Sequence, residues 1–145
     1  MVINLLLLAA LLSPQEAPFG KKAKPEAKIL SVRTDKAQVK AGEPFKASFE
    51  VEITPGWHIY PTVKTTTGEP TQFEFAAAGI AGPIEAEPRA KVHPADGDEA
   101  AYEYHEGKVT FTVPLFLKAG AKPGPFEGKG SFKYMICNPQ TCLPL

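Results

Sequence analysis

The sequence predicts an all-β domain in which short strands form a β-sandwich. Residues 45–53 and 108–117 alternate apolar and polar side chains, which is typical of strands buried on one face. No window has a convincing apolar period of 3.6 residues, and 15 prolines and 12 glycines argue against long helices. Several short strands separated by turn signals favour a sandwich over other architectures.

The length and charge of the chain limit the classes of function that it can have. At 145 residues it is long enough for one domain with a true core. The net charge is +0, from 16 basic and 16 acidic residues, and no basic patch stands out, so the sequence predicts no nucleic-acid partner. No apolar run reaches the length of a membrane-spanning helix, and nothing in the sequence indicates a cofactor.

The N-terminus predicts export from the cytoplasm. Residues 5–12 are purely apolar, a length that suits the core of a secretory signal peptide. We therefore expect a signal peptide at 1–17, a tether at 18–28 and the folded domain at 29–145. The preceding residues lack Lys and Arg, and a first β-strand is the alternative, although the run has no polar alternation. Export matters because disulfides persist in oxidising compartments.

The first part of the domain contains one strong strand signal. Residues 29–32 are a weak strand signal, and 41–44, which read Ala-Gly-Glu-Pro, predict a turn. The alternation then runs over nine residues, 45–53, with one apolar and one polar face.

A short strand is expected at 57–60, after a Thr-Pro-Gly break. Trp57 and Ile59 would share one face of it, and His58 and Tyr60 the other, because side chains alternate along a strand. The simplest interpretation of His58 and Tyr60 is that they are ordinary residues on the solvent face.

The later segments predict further strands of unequal strength. Residues 71–75 are a strand candidate, and 84–89 fit an edge strand limited by prolines. In the strand at 108–117, Pro114 cannot donate to a ladder, so a bend, a bulge or an edge position is expected there. A last strand is expected at 126–136, from Phe126 to Ile136. The segments expected to be irregular are 64–70, 76–83 (small and flexible), 92–101 (an exposed loop) and 119–125.

The eleven residues at 134–144 carry both cysteines of the chain. Cys137 and Cys142 follow an alternating strand and enclose Asn138-Pro139, which favours a turn. Two sulfurs at the neck of a tight β-loop could form a reversible disulfide that exchanges electrons with partner proteins.

Two other interpretations of the cysteines remain open. A structural disulfide is one, although the chain-entropy model gives a loop of about six residues only about 2 kcal/mol, against about 4.7 for 100 residues. A zinc or copper site with His58, His93 or His105 is the other, but no histidine lies at a ligand-like spacing, so no metal is predicted. The nearest cation that could activate a thiol is Lys133.

Three stretches of the sequence occur together in a specific order. They are Pro-Gly-Trp-His-Ile-Tyr at 55–60 with Gly-Glu-Pro at 68–70, Gly-Lys-Val-Thr-Phe-Thr-Val-Pro-Leu at 107–115, and Tyr134-x-x-Cys137-x4-Cys142-x-Pro144. Together they resemble the periplasmic N-terminal domain family of the transmembrane thiol–disulfide interchange reductase DsbD. The resemblance extends from about residue 29 to the end of the sequence.

The resemblance implies an immunoglobulin-like β-sandwich with the cysteine pair on a terminal β-hairpin loop. Cys137 and Cys142 match the redox cysteines of the family, with Cys142 favoured as the one that bonds to partners. His58 and Tyr60 match positions that flank the pair. Electrons would come from a thioredoxin-like domain or a membrane reductase. They would pass to periplasmic disulfide isomerases or cytochrome c maturation proteins.

The resemblance also implies a cap loop that shields the disulfide with acidic and aromatic residues. Asp98 and Glu99 fit the acidic part, and Tyr102 or Tyr104 would supply the aromatic ring; a solvated acidic loop is the alternative. The family continues past the second cysteine into a strand that completes the hairpin, whereas this sequence stops at 143–145. We therefore expect one of two situations. Either the chain is truncated at its C-terminus, which would make the structure around Cys142 less stable, or it is a free-standing domain whose electron donor is a separate protein.

The sequence therefore predicts an exported thiol–disulfide exchange module, a protein-disulfide reductase of the periplasm that could belong to a membrane-anchored protein. The alternative is a non-catalytic β-sandwich binding module in which the disulfide is structural. An aromatic or basic ligand surface would favour the alternative, and the sequence shows no clear one.

Overall fold

The computed structural model describes residues 23–125 and 128–144. The predicted signal peptide at 1–17, residues 18–22 of the predicted tether and Phe126 lie outside these residues. The described residues form twelve strands and no helix, and so include no helix that could cross a membrane. The strands are β1 (Ala27–Thr34), β2 (Pro44–Ile53), β3 (His58–Ile59), β4 (Gln72–Phe75), β5 (Ala78–Ile80), β6 (Glu85–Glu87), β7 (Lys91–His93), β8 (Tyr102–Tyr104), β9 (Lys108–Leu117), β10 (Gly130–Lys133), β11 (Met135–Cys137) and β12 (Cys142–Pro144).

The first layer of the sandwich is a sheet with the strand order β1-β2-β9-β5, in which β6 also pairs with β9. The two strongest strand predictions are confirmed as β2 and β9, which pair antiparallel over nine residue pairs. Alternate residues of both strands are buried, so the apolar face seen in the sequence is the face that meets the core. The weak signal at 29–32 is part of the longer edge strand β1.

Pro114 stands where the neighbours of β9 change. β5 pairs with residues 115–117 of β9 and β6 with residues 110–112, so the proline faces the break between them. Its carbonyl accepts a hydrogen bond from the Ala81 N–H at 2.8 Å. The register of β9 against β2 is unbroken, so the expected bulge in β9 is absent and the interruption lies in the adjoining strands.

The second layer consists of two small sheets, β10-β4 and β12-β11-β3. The single strand expected at 126–136 is wrong in its described part, because Tyr134 separates β10 from β11 where the chain changes from pairing with β4 to pairing with β3. The Tyr134 hydroxyl accepts a hydrogen bond from the Ala27 N–H of β1 at 2.9 Å. This residue therefore links the two layers of an immunoglobulin-like β-sandwich.

Aromatic side chains fill the space between the layers. Phe73 of β4 lies 5.1 Å from the ring of Phe49, 5.5 Å from Phe111 and 5.0 Å from Phe132, measured between ring centroids. Ring pairs at these separations add to the burial of their apolar surface. The fully buried residues of the core include Val51, Ile53, Ile59, Val109, Phe111, Val113 and Ile136.

Two segments that were expected to be irregular contain strands. Residues 76–83 include β5, which packs the buried Ala78 against the core and the backbone of Gly79 against the Phe116 ring. Residues 92–101 contain the end of β7, which pairs with β8. These strands are only three residues long, so backbone pairing forms them without leaving an apolar alternation in the sequence.

A matched pair of valine substitutions tests the assignment of the core. Val113 of β9 is 0% exposed and Val32 of β1 is 54% exposed. We expect Val113→Ala to lower the free energy of unfolding by about 2 kcal/mol, because it removes buried methyl groups. Val32→Ala should cost less than about 1 kcal/mol. Equal losses in urea unfolding curves would contradict this assignment.

Candidate functional site

The two cysteines form a disulfide across the hairpin of β11 and β12. Cys137 and Cys142 are direct cross-strand partners, with Cα atoms 4.1 Å apart and an S–S bond of 2.05 Å. They differ sharply in accessibility: Cys137 is 1% exposed, whereas Cys142 is an exposed residue. A partner thiolate in solution therefore has access to the Cys142 side of the bond.

Asn138 closes the hairpin, as its position before proline predicts. Its side-chain Oδ1 accepts hydrogen bonds from the N–H groups of Gln140 at 2.9 Å and Thr141 at 2.8 Å. Its own N–H donates to the Thr141 carbonyl at 2.9 Å. The expected loss of the hairpin's second strand is wrong, because the described residues include β12, which pairs with β11 over three residue pairs.

The strand β3 forms the other neighbour of the cysteine hairpin. His58 pairs with Cys137 in register, and Ile59 pairs with Ile136. On its far side, Ile59 exchanges two backbone hydrogen bonds with His105, of 3.0 and 2.8 Å. The His105 ring is buried edge-on against Phe111, so it belongs to the core and not to the site.

Tyr60 is buried beside the site, which excludes its interpretation as a solvent-face residue. It is 3% exposed, and its ring packs against the backbone of Gly68. The Thr71 hydroxyl donates to the Tyr60 carbonyl at 2.5 Å, and the Thr71 N–H donates to the carbonyl of Pro61 at 3.0 Å. The loop at 61–71 therefore folds back over the tyrosine, which the alternation of a short strand could not predict.

The predicted cap loop is a β-hairpin, which we call the cap hairpin and define as residues 91–104. β7 and β8 pair over three residue pairs, and Asp96 and Glu99 close the tip with two backbone hydrogen bonds of 3.1 and 2.9 Å. Gly97 has a φ of 57°, which favours glycine in this two-residue turn. The Gly-Asp pair at 97–98, between the paired Asp96 and Glu99, is the sequence signal that predicts such a hairpin.

The cap hairpin packs on β3 through five rings, which we call the aromatic cluster. Tyr102 stacks on His93 at 4.8 Å and lies 5.9 Å from His58 and 6.0 Å from Tyr60, between centroids. Tyr104 lies 5.3 Å from His58. Sequence reasoning considered His93 only as a metal ligand, and its pairing opposite Tyr102 in the hairpin explains its place here. The members are His58, Tyr60, His93, Tyr102 and Tyr104.

Two polar contacts also hold the cap hairpin to the body. An ion pair joins Lys91 to Glu106, and the Thr66 hydroxyl donates to the Ala101 carbonyl at 3.5 Å. The ion pair is exposed, and exposed pairs contribute little to stability. Packing of the aromatic cluster is therefore the main contact between the cap hairpin and the sandwich.

A cleft of about 590 Å³ lies between the cap hairpin and the cysteine hairpin. Both cysteines, the turn at 138–141 and the whole aromatic cluster line it, together with Glu99 and Glu106. Asp98 is exposed and is not among the described residues that line the cleft. The structure thus brings together the predicted cysteines, flanking residues and cap residues, with the exception of Asp98.

Burial shifts the pKa of three rings in the cleft, those of His58, Tyr60 and Tyr102. It lowers the pKa of His58, an effect that His93 reinforces and that Glu106 opposes. Burial raises the pKa of Tyr60 and of Tyr102, and the nearby Glu99 raises both further. The imidazole of His58 and the two phenols are therefore uncharged near neutral pH.

Two ring nitrogens at the site are buried without a hydrogen-bond partner, Nε2 of His58 and Nδ1 of His93. Most buried polar side-chain atoms are paired, so each of these requires an explanation. Within the described residues, no group of three or more His, Cys, Asp or Glu side chains is placed to hold a metal ion.

Comparison with known proteins gives one match. A family model described as the N-terminal part of the thiol:disulfide interchange protein DsbD matches residues 26–145. No curated protein and no solved structure matches the chain. The matched residues include every strand and both cysteines of the site.

Gly68 and Gly42 provide a test of the packing around Tyr60. Both have a φ of 79°, but a side chain at Gly68 would overlap the Tyr60 ring, whereas one at Gly42 would meet open space. Alanine at either position carries the same backbone strain. We expect Gly68→Ala to destabilise the fold by about 1–3 kcal/mol more than Gly42→Ala, because of the overlap. Equal effects in denaturant unfolding would show that Gly68 does not support the ring.

Proposed function

Because the chain belongs to the N-terminal domain family of the thiol:disulfide interchange protein DsbD, we propose that it relays electrons through Cys137 and Cys142 to acceptor proteins. The chain is a thiol–disulfide interchange domain, and the proposal concerns the direction and the participants of the exchange. The observation that carries it is the position of the disulfide, which lies in an open cleft with one exposed cysteine and one buried cysteine.

The exchange takes place in two stages. A donor dithiol first reduces the disulfide: one donor thiolate attacks Cys142, the bond to Cys137 breaks, and the second donor sulfur completes the transfer of two electrons. The Cys142 thiolate then attacks an acceptor disulfide and forms a mixed disulfide. Cys137 displaces the acceptor, which leaves as a dithiol, and the Cys137–Cys142 disulfide is restored.

The residues around the disulfide have supporting roles in this proposal. The aromatic cluster lines the same cleft as the two cysteines, of which Cys137 is buried and Cys142 exposed, so that a partner reaches one cysteine and not the other. Glu99 adds negative charge at the edge of the cleft. Asp98, the other acidic residue proposed for the cap, is exposed next to Glu99 and does not line the cleft.

The partners are proposed on the basis of the family. The donor is a thioredoxin-like domain or a membrane reductase, and the acceptors are periplasmic disulfide isomerases or cytochrome c maturation proteins. The proposal makes the chain a protein-disulfide reductase module without a cofactor, exported by the signal peptide at 1–17 and working in the periplasm. Attachment to a membrane-anchored protein would bring the donor close to it.

The reduction potential of the cysteine pair tests the proposed function. Equilibration in glutathione or dithiothreitol buffers should give a value in the range of known exchange proteins, about −180 to −270 mV. A value below about −300 mV would identify a structural disulfide that resists reduction, and the binding module would become the better interpretation.

Single-cysteine variants test which sulfur bonds to partners. We expect Cys137→Ser, which keeps the exposed thiol, to form a stable mixed disulfide with a thioredoxin-like protein that retains one active-site cysteine. Cys142→Ser should form little or none, because its remaining thiol is buried. Non-reducing electrophoresis measures both yields, and equal or reversed trapping would contradict the assignment of Cys142.

A further inference from the structure

Three residues form a row across the strands of the site. His58 of β3 is the register partner of Cys137 in β11, and Cys137 is the register partner of Cys142 in β12. Side chains directly opposite each other on antiparallel strands lie on the same face, with Cβ atoms about 4.5–5.5 Å apart. The imidazole of His58 is therefore the neighbour of the buried sulfur, with the exposed sulfur one strand further away.

The Nε2 atom of His58 is buried and has no hydrogen-bond partner when the cysteines are joined. A disulfide carries no hydrogen, so it cannot donate to this nitrogen. Reduction adds one hydrogen to each sulfur and thereby creates a donor beside His58. His58, whose Nε2 lacks a partner in the oxidised protein, is the register neighbour of a cysteine that gains a proton in the reduced protein.

The cleft contains no other obvious means of activating the Cys137 thiol. A thiol must lose its proton before it attacks a disulfide, and neighbouring cations normally favour that loss. None of the described residues that line the cleft is Lys or Arg. The site therefore needs a proton acceptor within reach of the buried sulfur.

We propose that His58 is the base that accepts the proton of the Cys137 thiol during resolution of the mixed disulfide. The inference rests on the exchange function proposed above and assigns one step of it. Cys137 is the sulfur that must attack from a buried position, after Cys142 has bonded to the acceptor.

The step balances as follows. The Cys137 thiol gives its proton to Nε2 of His58, and the resulting thiolate attacks the sulfur of Cys142. The bond between Cys142 and the acceptor breaks, and its electron pair leaves on the acceptor sulfur, which takes up a proton. The cysteine pair is oxidised by two electrons and the acceptor disulfide is reduced by two.

The groups that face His58 fit this role. Tyr102 and Tyr104 pack on it from β8, His93 approaches from β7, and Glu106 lies beyond β8. Burial holds the pKa of His58 below its ordinary value, so the ring is neutral and able to accept a proton near neutral pH. Glu106 favours the imidazolium once it has formed.

Ellman's reagent separates the two sulfur steps without a biological partner. The reduced protein should release one coloured thiolate when Cys142 attacks and a second when Cys137 resolves the mixed disulfide. We expect His58→Gln to slow the second phase by about tenfold or more at neutral pH and to leave the first unchanged, because a general base contributes at least this much. The pH profile of the second phase should also lose the inflection due to His58.

His93→Gln is the matched control. It also removes an imidazole from the aromatic cluster, but His93 does not lie in the row that His58 forms with the cysteines. His93→Gln should slow the second phase much less than His58→Gln does. An unchanged second phase in His58→Gln, or equal slowing of both phases, would overturn the role of His58. Equal slowing of the second phase in both variants would overturn it as well.

The wild-type protein allows a second test that does not depend on a variant folding. NMR titration of the imidazole nitrogens should show that the pKa of His58 differs between the oxidised and reduced proteins. Equal values for His58 in both states would overturn the proposal. A cysteine pair that resists reduction in the buffers named above would instead refute the exchange function, whatever the second phase shows.

Discussion

The site depends on two isoleucines that are buried in the core next to each other. Ile59 of β3 and Ile136 of β11 are register partners, and both are 0% exposed. Since side chains alternate along a strand, fixing these two in the core directs the preceding His58 and the following Cys137 to the opposite face. A slip of one residue between the strands would exchange core and site residues, so the same packing that stabilises the fold sets the register of the chemistry.

The cleft also contains groups whose burial lowers the stability of the fold. Two ring nitrogens, on His58 and His93, are buried without partners, and each such atom costs about 1–3 kcal/mol. The aromatic cluster offsets this by burying ring surface, and stacked or edge-on pairs add about 0.5–1.5 kcal/mol each. The cap hairpin is therefore held mainly by contacts between side chains, whereas the cysteine hairpin is bonded to its neighbour by a β-ladder.

How far the sequence predicted this structure depends on the length of each element. The alternation in β2 and β9 spans about ten residues, so periodicity alone identified both strands and their inner faces. β5, β7 and β8 have three residues each. β5 forms by pairing with β9, which is distant in sequence, and β7 and β8 form by pairing with each other across a turn. Periodicity within one short segment cannot detect such pairing. The cysteine pair was predictable from Asn138 and spacing, whereas the burial of Tyr60 depends on the loop that brings Gly68 against its ring.

The unequal exposure of the two sulfurs follows from the same geometry and bears on the choice between exchange and a structural disulfide. Cys137 lies on the middle strand β11, between β3 and β12, and lines the cleft together with the aromatic cluster; Cys142 begins the outer strand β12. A disulfide that only closed a six-residue loop would contribute about 2 kcal/mol in the chain-entropy model, to a turn that Asn138 already closes. Neither exposure of one sulfur nor an open cleft would serve that purpose. Sequential exchange requires both, because the first attack must come from outside and the second from within the domain.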